Sequence, residues 1–593
     1  MKKLLLALCI LCGAEISNTA PALATPLVQE IQVEVKNAHK GMFSVITYDQ
    51  ENNILHSGYG FFIDEEGTGV AAFSLFKDAY KADIVDFSGN KVPVHRILGA
   101  DSNYDLVKFS TLGAKKIEAF AIASDPHTAT GNTLQIVRYS GKKKSKPEKT
   151  NITKVDIFDG YNYFEVDAKN SETLFGCPLI DAEGNAVAIL QKNVEAYAEN
   201  AYAIDARFIK KLEISNTSIL NADLNDIHIS KGIPPTEKGA LTYIYMLSTK
   251  DSTTAIHAIN DFIESYPNNA EGFTQRGALY AQHNDYANCE ADFEKAMEVV
   301  EENQSTIKAD EIHNNLSKII YNKVVFNPQT VYEAWTLDRA IEEAQQAFEL
   351  NPSPYYLLQQ AHCYLAKKDF LKASEYYQKI NTERFAHQAE WSDKAKAESW
   401  IYAVRAFDMY VQTDKAGGTR QDSLQIVALL DSAIAALPQP YIFEDAKIFF
   451  ERGQRLEVLK EYRKAVMDYN EYEKIIGPKK LNDKFYYLRE QAELKAHMYQ
   501  QALDDINTAI AFNPNAPLYP TEKALVLLQV GMYKEAIAVC QSSLETLPEN
   551  PDCYKIMGIC YGELKNKKEA LKLLQKAQDL GDPTVQVFID KYK

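Results

Sequence analysis

Gly58-Tyr-Gly-Phe-Phe-Ile-Asp64, Asp101-Ser-Asn-Tyr-Asp-Leu-Val107 and Phe175-Gly-Cys-Pro-Leu179 punctuate a region, Gly41 to Ile204, of short β segments broken by turns. Met42-Phe-Ser-Val-Ile-Thr-Tyr48, Thr133-Leu-Gln-Ile-Val137 and Ala186-Val-Ala-Ile-Leu190 are apolar, β-branched runs bounded by Gly, Asn or Asp. Asp86-Phe-Ser-Gly-Asn90 and Asp181-Ala-Glu-Gly-Asn185 read as hairpin turns, in which Gly supplies the positive φ. Closely spaced strands with little helix predict a β-barrel or sandwich.

The three quoted stretches resemble the catalytic loops of a trypsin-like peptidase of the exported HtrA/Deg type, in the chain order His, Asp, Ser. That family has a Gly-Ser-Gly-Phe strand before its histidine, an Asp-Leu-Ala-Val strand and a Gly-Asn-Ser-Gly-Gly-Pro-Leu serine loop. Here the matching stretches are Gly58-Tyr-Gly-Phe61, Asp105-Leu-Val-Lys108 and Thr173-Leu-Phe-Gly-Cys-Pro-Leu179. The resemblance implies an all-β chymotrypsin-like double barrel over residues 26–215, with Ser74, Asp105 and Phe175 at the triad positions. Gly131 and Tyr202-Ala-Ile204 match quieter family features in the second barrel.

The departures remove the chemistry. Serine attack needs a base, and the base needs a third group to fix its tautomer. Phe175 carries no nucleophile, Ser74 is no base near neutral pH, and Thr173 puts a β-carbon where the family uses glycine to aim amides at the oxyanion. Cys177 is the nearby thiol, but it lies two residues beyond the nucleophile position and directly before Pro178. A reactive thiolate would need an electropositive neighbour. His39, His56, His95 and His127 all miss the motif position. The expectation is a pseudo-peptidase with no catalytic residue.

Beyond residue 239 a period near 34 residues runs through the chain, the length of a tetratricopeptide (TPR) unit. Tyr554, Gly558, Tyr561, Ala570, Leu574 and Ala577 match the TPR packing positions, and so do Phe273, Gly277, Tyr280, Cys289, Phe293 and Ala296. Phe449, Gly453, Leu456, Ala465, Tyr469 and Tyr472 form a third set. Small residues let paired helices approach, while bulky ones fill the layer between neighbours. One such pair cannot bury its own apolar stripe, so units stack into a superhelix. This reading gives an all-α array of about nine repeats over 239–582, with insertions between 289 and 340 and between 373 and 426, and a capping helix over 583–593. Residues 216–238 form a linker for which a fixed elbow and a flexible tether both stand open.

The remaining features bound location and partners. Lys2 and Lys3, the apolar run Leu4 to Ala14 and the small residues Ala22-Leu-Ala24 read as a signal peptide over 1–24, cleaved after Ala24. Together with the peptidase resemblance, this predicts export from a bacterial cell, to the periplasm or beyond. No later segment reads as an integral membrane helix. A net charge of −17 repels polyanions and argues against nucleic acid. The basic run Gly141 to Lys149 reads as a solvated hairpin tip. Beyond the expected leader, the six remaining cysteines lack paired CxxC spacing, so no metal or other cofactor is expected, although Cys540, Cys553 and Cys560 are close enough in sequence for one disulfide. The function expected is an exported scaffold that binds a protein or peptide in the TPR groove, whose acidic surplus slightly favours basic partners. The alternatives are an active serine- or cysteine-type endopeptidase with an unconventional site, and a structural component of an envelope complex.

Overall fold

The computed structural model describes residues 37–593 apart from 125–127, 144, 193–198, 303–306, 382–390 and 415–417. The expected signal peptide and His127 lie outside the described residues. The chain divides into two compact units, one ending at Pro267 and the other running Asn268–Lys593.

The first unit contains two closed barrels whose paired strands are all antiparallel. In the first, β1 (Met42–Tyr48), β2 (Ile54–Phe62), β3 (Thr68–Ala71), β4 (Lys81–Val85), β5 (Lys91–Asp101) and β6 (Leu106–Thr111) close in the order β1-β2-β3-β6-β5-β4. In the second, β7 (Thr133–Ile136), β8 (Glu148–Phe158), β9 (Tyr161–Lys169), β10 (Pro178–Ile180), β11 (Ala186–Gln191) and β12 (Asn200–Asp205) close in the order β10-β11-β12-β9-β8-β7. Closure pairs each strand on both sides along part of its length, and β5 runs on beyond its pairing with β4, which ends at Pro93.

Packing explains the glycine motif of β2. The Phe43 ring sits edge-on to Phe62 at 4.7 Å and to Phe109 at 5.8 Å between centroids. A β-carbon on Gly60 would fall 2.5 Å from the Phe43 ring, so only glycine leaves room for this aromatic core. Both expected hairpin turns are present and share one construction. In Asp86–Asn90 the aspartate accepts from the backbone N–H of Asn90 at 2.8 Å and from its side-chain amide at 3.0 Å, and Gly89 takes φ +84°. Asp181–Asn185 repeats it with Gly184 at φ +92°. Asp49–Asn53, between β1 and β2, is a third copy in which Asn52 replaces the glycine at φ +65°. The basic run falls in the β7–β8 connection, where Lys142, Lys143 and Lys146 are exposed.

The segment after the second barrel returns to the first. The Ile97 N–H donates to the Ser230 carbonyl at 2.9 Å, and the Gly232 N–H to the Ile97 carbonyl at 2.8 Å, forming a short parallel pairing. Ile219, Leu224, Ile227 and Ile229 are buried. In the same unit, the Arg96 guanidinium grips Asp261 on helix Ser252–Ser265 through two hydrogen bonds of 2.7 and 3.0 Å.

The second unit is a succession of packed helices. Many start on Asn, Ser, Thr or Asp caps, including Asn269, Thr336, Ser353, Asn482 and Asn550. The repeat motif acts as expected: a β-carbon on Gly453 would lie 2.7 Å from Tyr469, and one on Gly558 would lie 2.7 Å from Leu574. The longer steps in the period hold longer helices, Ala309–Phe326 in one and Asp393–Asp414 in the other. At the C-terminal end, Val585, Ile589 and Tyr592 bury against Ala570, Leu574 and Ala577, whereas Val587 points to solvent.

Candidate functional site

A cavity of about 720 Å³ is lined by residues of both barrels. Ser74 and the turn Ser102 to Asp105 come from the first barrel, and Ile157, Phe158, Tyr163, Gln191 and Lys192 from the second. Ser74 sits on the 3-10 turn Phe73–Leu75 that follows β3, and Asp105 on the β5–β6 turn. Asp105 adopts φ +48°, a left-handed conformation that a short polar side chain tolerates. This aims its carboxylate at the 3-10 turn, where it accepts from the Ser74 N–H at 2.7 Å and the Ser74 hydroxyl at 3.2 Å. Burial raises the Asp105 pKa, while the two bonds from Ser74 and the charge of Lys192 act to lower it.

The aromatic wall is built around Tyr104. Its ring stacks on Phe208 at 3.8 Å, meets Phe158 edge-on at 5.4 Å, and its carbonyl accepts from the Gln191 amide. Ile157 and Phe158 project from the end of β8 with 78% and 53% of their surface exposed. The turn after them, Asp159-Gly160, has positive φ at both residues (+48° and +81°), the geometry of a tight hairpin. An apolar pair is thereby held in water beside the cavity.

Ser74 and Asp105 are thus brought together, and Phe175 does not line the cavity with them. Phe175 ends the 3-10 turn Glu172–Leu174, and the next residue, Gly176, is pressed against β2: a β-carbon there would lie 2.3 Å from the Tyr59 carbonyl oxygen. The Thr173 N–H donates to the Ser171 hydroxyl at 3.4 Å, so this amide already has an acceptor within the loop. Cys177 is fully buried, its Sγ 3.8 Å from the Thr173 carbonyl oxygen. Arg138 supplies the electropositive neighbour, yet burial dominates and pushes the thiol up to about 12. No histidine lines the cavity among the described residues, and they contain no cluster of three or more metal-ligating side chains. No helix among the described residues is long and apolar enough to cross a membrane.

The lining combines apolar and aromatic side chains with two carboxylates (Asp105, Asp156) and one ammonium (Lys192). Sequence reasoning identified Ser74 and Asp105 but missed Lys192, Tyr104 and Phe158. The signal for the last was an Ile-Phe pair directly before an Asp-Gly turn.

The helical unit adds a feature that the motif reading also missed. Arg276 bonds Asp292 through two bonds of 2.9 and 2.7 Å, Arg452 bonds Asp468 at 2.8 and 2.6 Å, and Arg489 bonds Asp505 at 2.7 and 2.9 Å. Each pair is separated by 16 residues, the same offset as glycine to bulky residue in Gly453/Tyr469 and Gly558/Leu574. An ion pair therefore recurs beside the glycine contact and ties the two helices of a repeat together. The six described cysteines carry free, buried thiols, Cys540, Cys553 and Cys560 among them.

Comparison with known proteins supports the helical part of this description. Residues 492–587 match the family described as Psidin, N-terminal TPR repeats region. No curated protein matches the chain. The fold is a pair of six-stranded antiparallel barrels followed by a helical repeat region of TPR type, and TPR repeats suggest a scaffold for protein interactions.

Proposed function

We propose that this chain is an exported, non-catalytic adaptor in which a trypsin-like domain keeps its substrate cleft as a docking groove while the TPR array holds a protein partner. The observation that carries this reading is the fate of the triad positions. The Ser74 hydroxyl is held by Asp105, and Phe175, which aligns with the serine of the family motif in sequence, carries no nucleophile. The cleft keeps its volume and an exposed aromatic wall without the acid–base pair that would make it hydrolytic. An endopeptidase built on Cys177 gains no support, because a fully buried thiol with a raised pKa is a poor nucleophile. Export rests on the leader reading of residues 1–24 and on the peptidase resemblance.

The test uses purified protein with a library of extended fluorescent peptides. Binding is expected without turnover, and Phe158→Asp is expected to weaken it about tenfold or more by removing aromatic contact area. Peptide hydrolysis by the wild type, abolished by a single cleft substitution, would overturn the reading.

A further inference from the structure

The helix Asp483–Lys495 carries two carboxylates where its neighbours in the array carry packing residues. Stepping 37 residues from Ala465 to Ala502 places Glu490 at the position of Gly453 and Glu493 at the position of Leu456. Glu490 is fully buried (0% exposed) and Glu493 nearly so, and neither oxygen of Glu490 has a hydrogen-bond partner. One oxygen of Glu493 is also unpartnered, and the other lies 3.8 Å from Arg489, a guanidinium already committed to Asp505 and Glu473.

The charged groups facing this pair are mostly of the same sign. On its own helix stand Arg489 and, further on, Lys495. Helix Tyr499–Phe512 presents Asp504 and Asp505, helix Tyr462–Ile476 presents Glu473, and helix Tyr519–Val530 presents Glu522. Tyr487 lies beside Glu490 on the same helix.

We infer that Glu490 and Glu493 form a proton-dependent latch inside the TPR array, which packs tightly when both carboxyls are neutral and loosens when they ionise. Burial without hydrogen bonds makes ionisation costly, and each charge formed adds repulsion from Asp505 and Glu522. In agreement, burial pushes Glu490 up to about 8, and burial raises Glu493 as well. The sign follows from linkage: with the folded value above the unfolded one, the stabilisation is complete below the ordinary glutamate range near 4.5. It is lost as pH rises toward 8. The ion pair Arg489–Asp505 keeps this helix in register in both states, so the effect is loosening rather than detachment.

Hydrogen exchange on the full-length protein tests this, with rates over residues 483–512 corrected for intrinsic chemical exchange between pH 5.5 and 8.5. Protection there is expected to fall about tenfold or more across that range, while helix Ala446–Val458, which has Gly453 and Leu456 at these positions, stays flat. Glu490→Gln with Glu493→Gln should abolish the slope. Glu490→Gly, which introduces the residue found at this position as Gly277, Gly453 and Gly558, should reduce it even if the double variant folds poorly. A flat wild-type profile, or a slope left undiminished by Glu490→Gly, would overturn the inference.

Discussion

The Ser74 hydroxyl and amide both point at Asp105, and in the trypsin-like domain proposed above Ser74 takes the place of the base. Restoring function by substitution must therefore do more than swap side chains. The double variant Ser74→His with Phe175→Ser is expected to stay inactive toward ester substrates and unlabelled by serine-directed covalent probes. The Thr173 amide is occupied by Ser171, and the Thr173 β-carbon opposes the loop shape an oxyanion site requires. Turnover by that variant would show that only two side chains had been lost. Asp105→Ala is a separate matter of stability. Removing two hydrogen bonds to a partly buried carboxylate should cost about 1–3 kcal/mol in urea unfolding. Strand motifs carry their own spacing, and through them the sequence pointed to Ser74 and Asp105, which the fold brings into hydrogen-bond contact. It did not reveal Lys192 or Tyr104 as cleft residues, because their place depends on how two barrels meet.

Among the helices, glycine and arginine play paired roles at the same offset. A methyl group at Gly558 would sit 2.7 Å from the Leu574 side chain and 3.2 Å from its backbone nitrogen, an atom that cannot swing away. Gly558→Ala gains about 1 kcal/mol of helix propensity but incurs overpacking of about 1–3 kcal/mol, so the net effect is neutral to destabilising, unlike an exposed helical glycine. Arg452 gives a sharper contrast. Truncation to Met leaves Asp468 buried without its guanidinium and should cost about 3 kcal/mol, whereas Arg452→Met together with Asp468→Leu should recover most of the loss. Chemical denaturation of the two variants checks this, and equal losses would mean that the ion pair itself carries the stability. The glycine positions were legible because their motif repeats along the chain. The ion pairs were not, since an offset of 16 means nothing until two helices are known to face each other. Glu490 shows the same limit: within one degenerate repeat it reads as an ordinary helical glutamate, and only the fold shows it filling a glycine's place.

At the level of the whole molecule, composition and period established that strands precede helices, and both barrels and helices are present. The stretch after the second barrel was harder to read, because Ile233-Pro-Pro-Thr236 suggests a linker while Ile219, Leu224, Ile227 and Ile229 are too scattered to show a period. These four are buried, Ile97 pairs with this stretch through its backbone, and Arg96 reaches Asp261 beyond it. The first folding unit should then be residues 37–267 rather than 37–215. A fragment ending at residue 215 exposes the backbone of β5 and loses those buried side chains, each worth about 1.5–3 kcal/mol when fully buried. It is expected to unfold at a clearly lower urea concentration than the 37–267 fragment and to associate through the uncovered strand. Arg96→Ala in the longer fragment separates the contributions, since it removes the Asp261 ion pair and leaves the strand pairing intact. If the two fragments unfold at the same midpoint, residues 216–267 contribute nothing to the barrels and the unit ends where the second barrel ends.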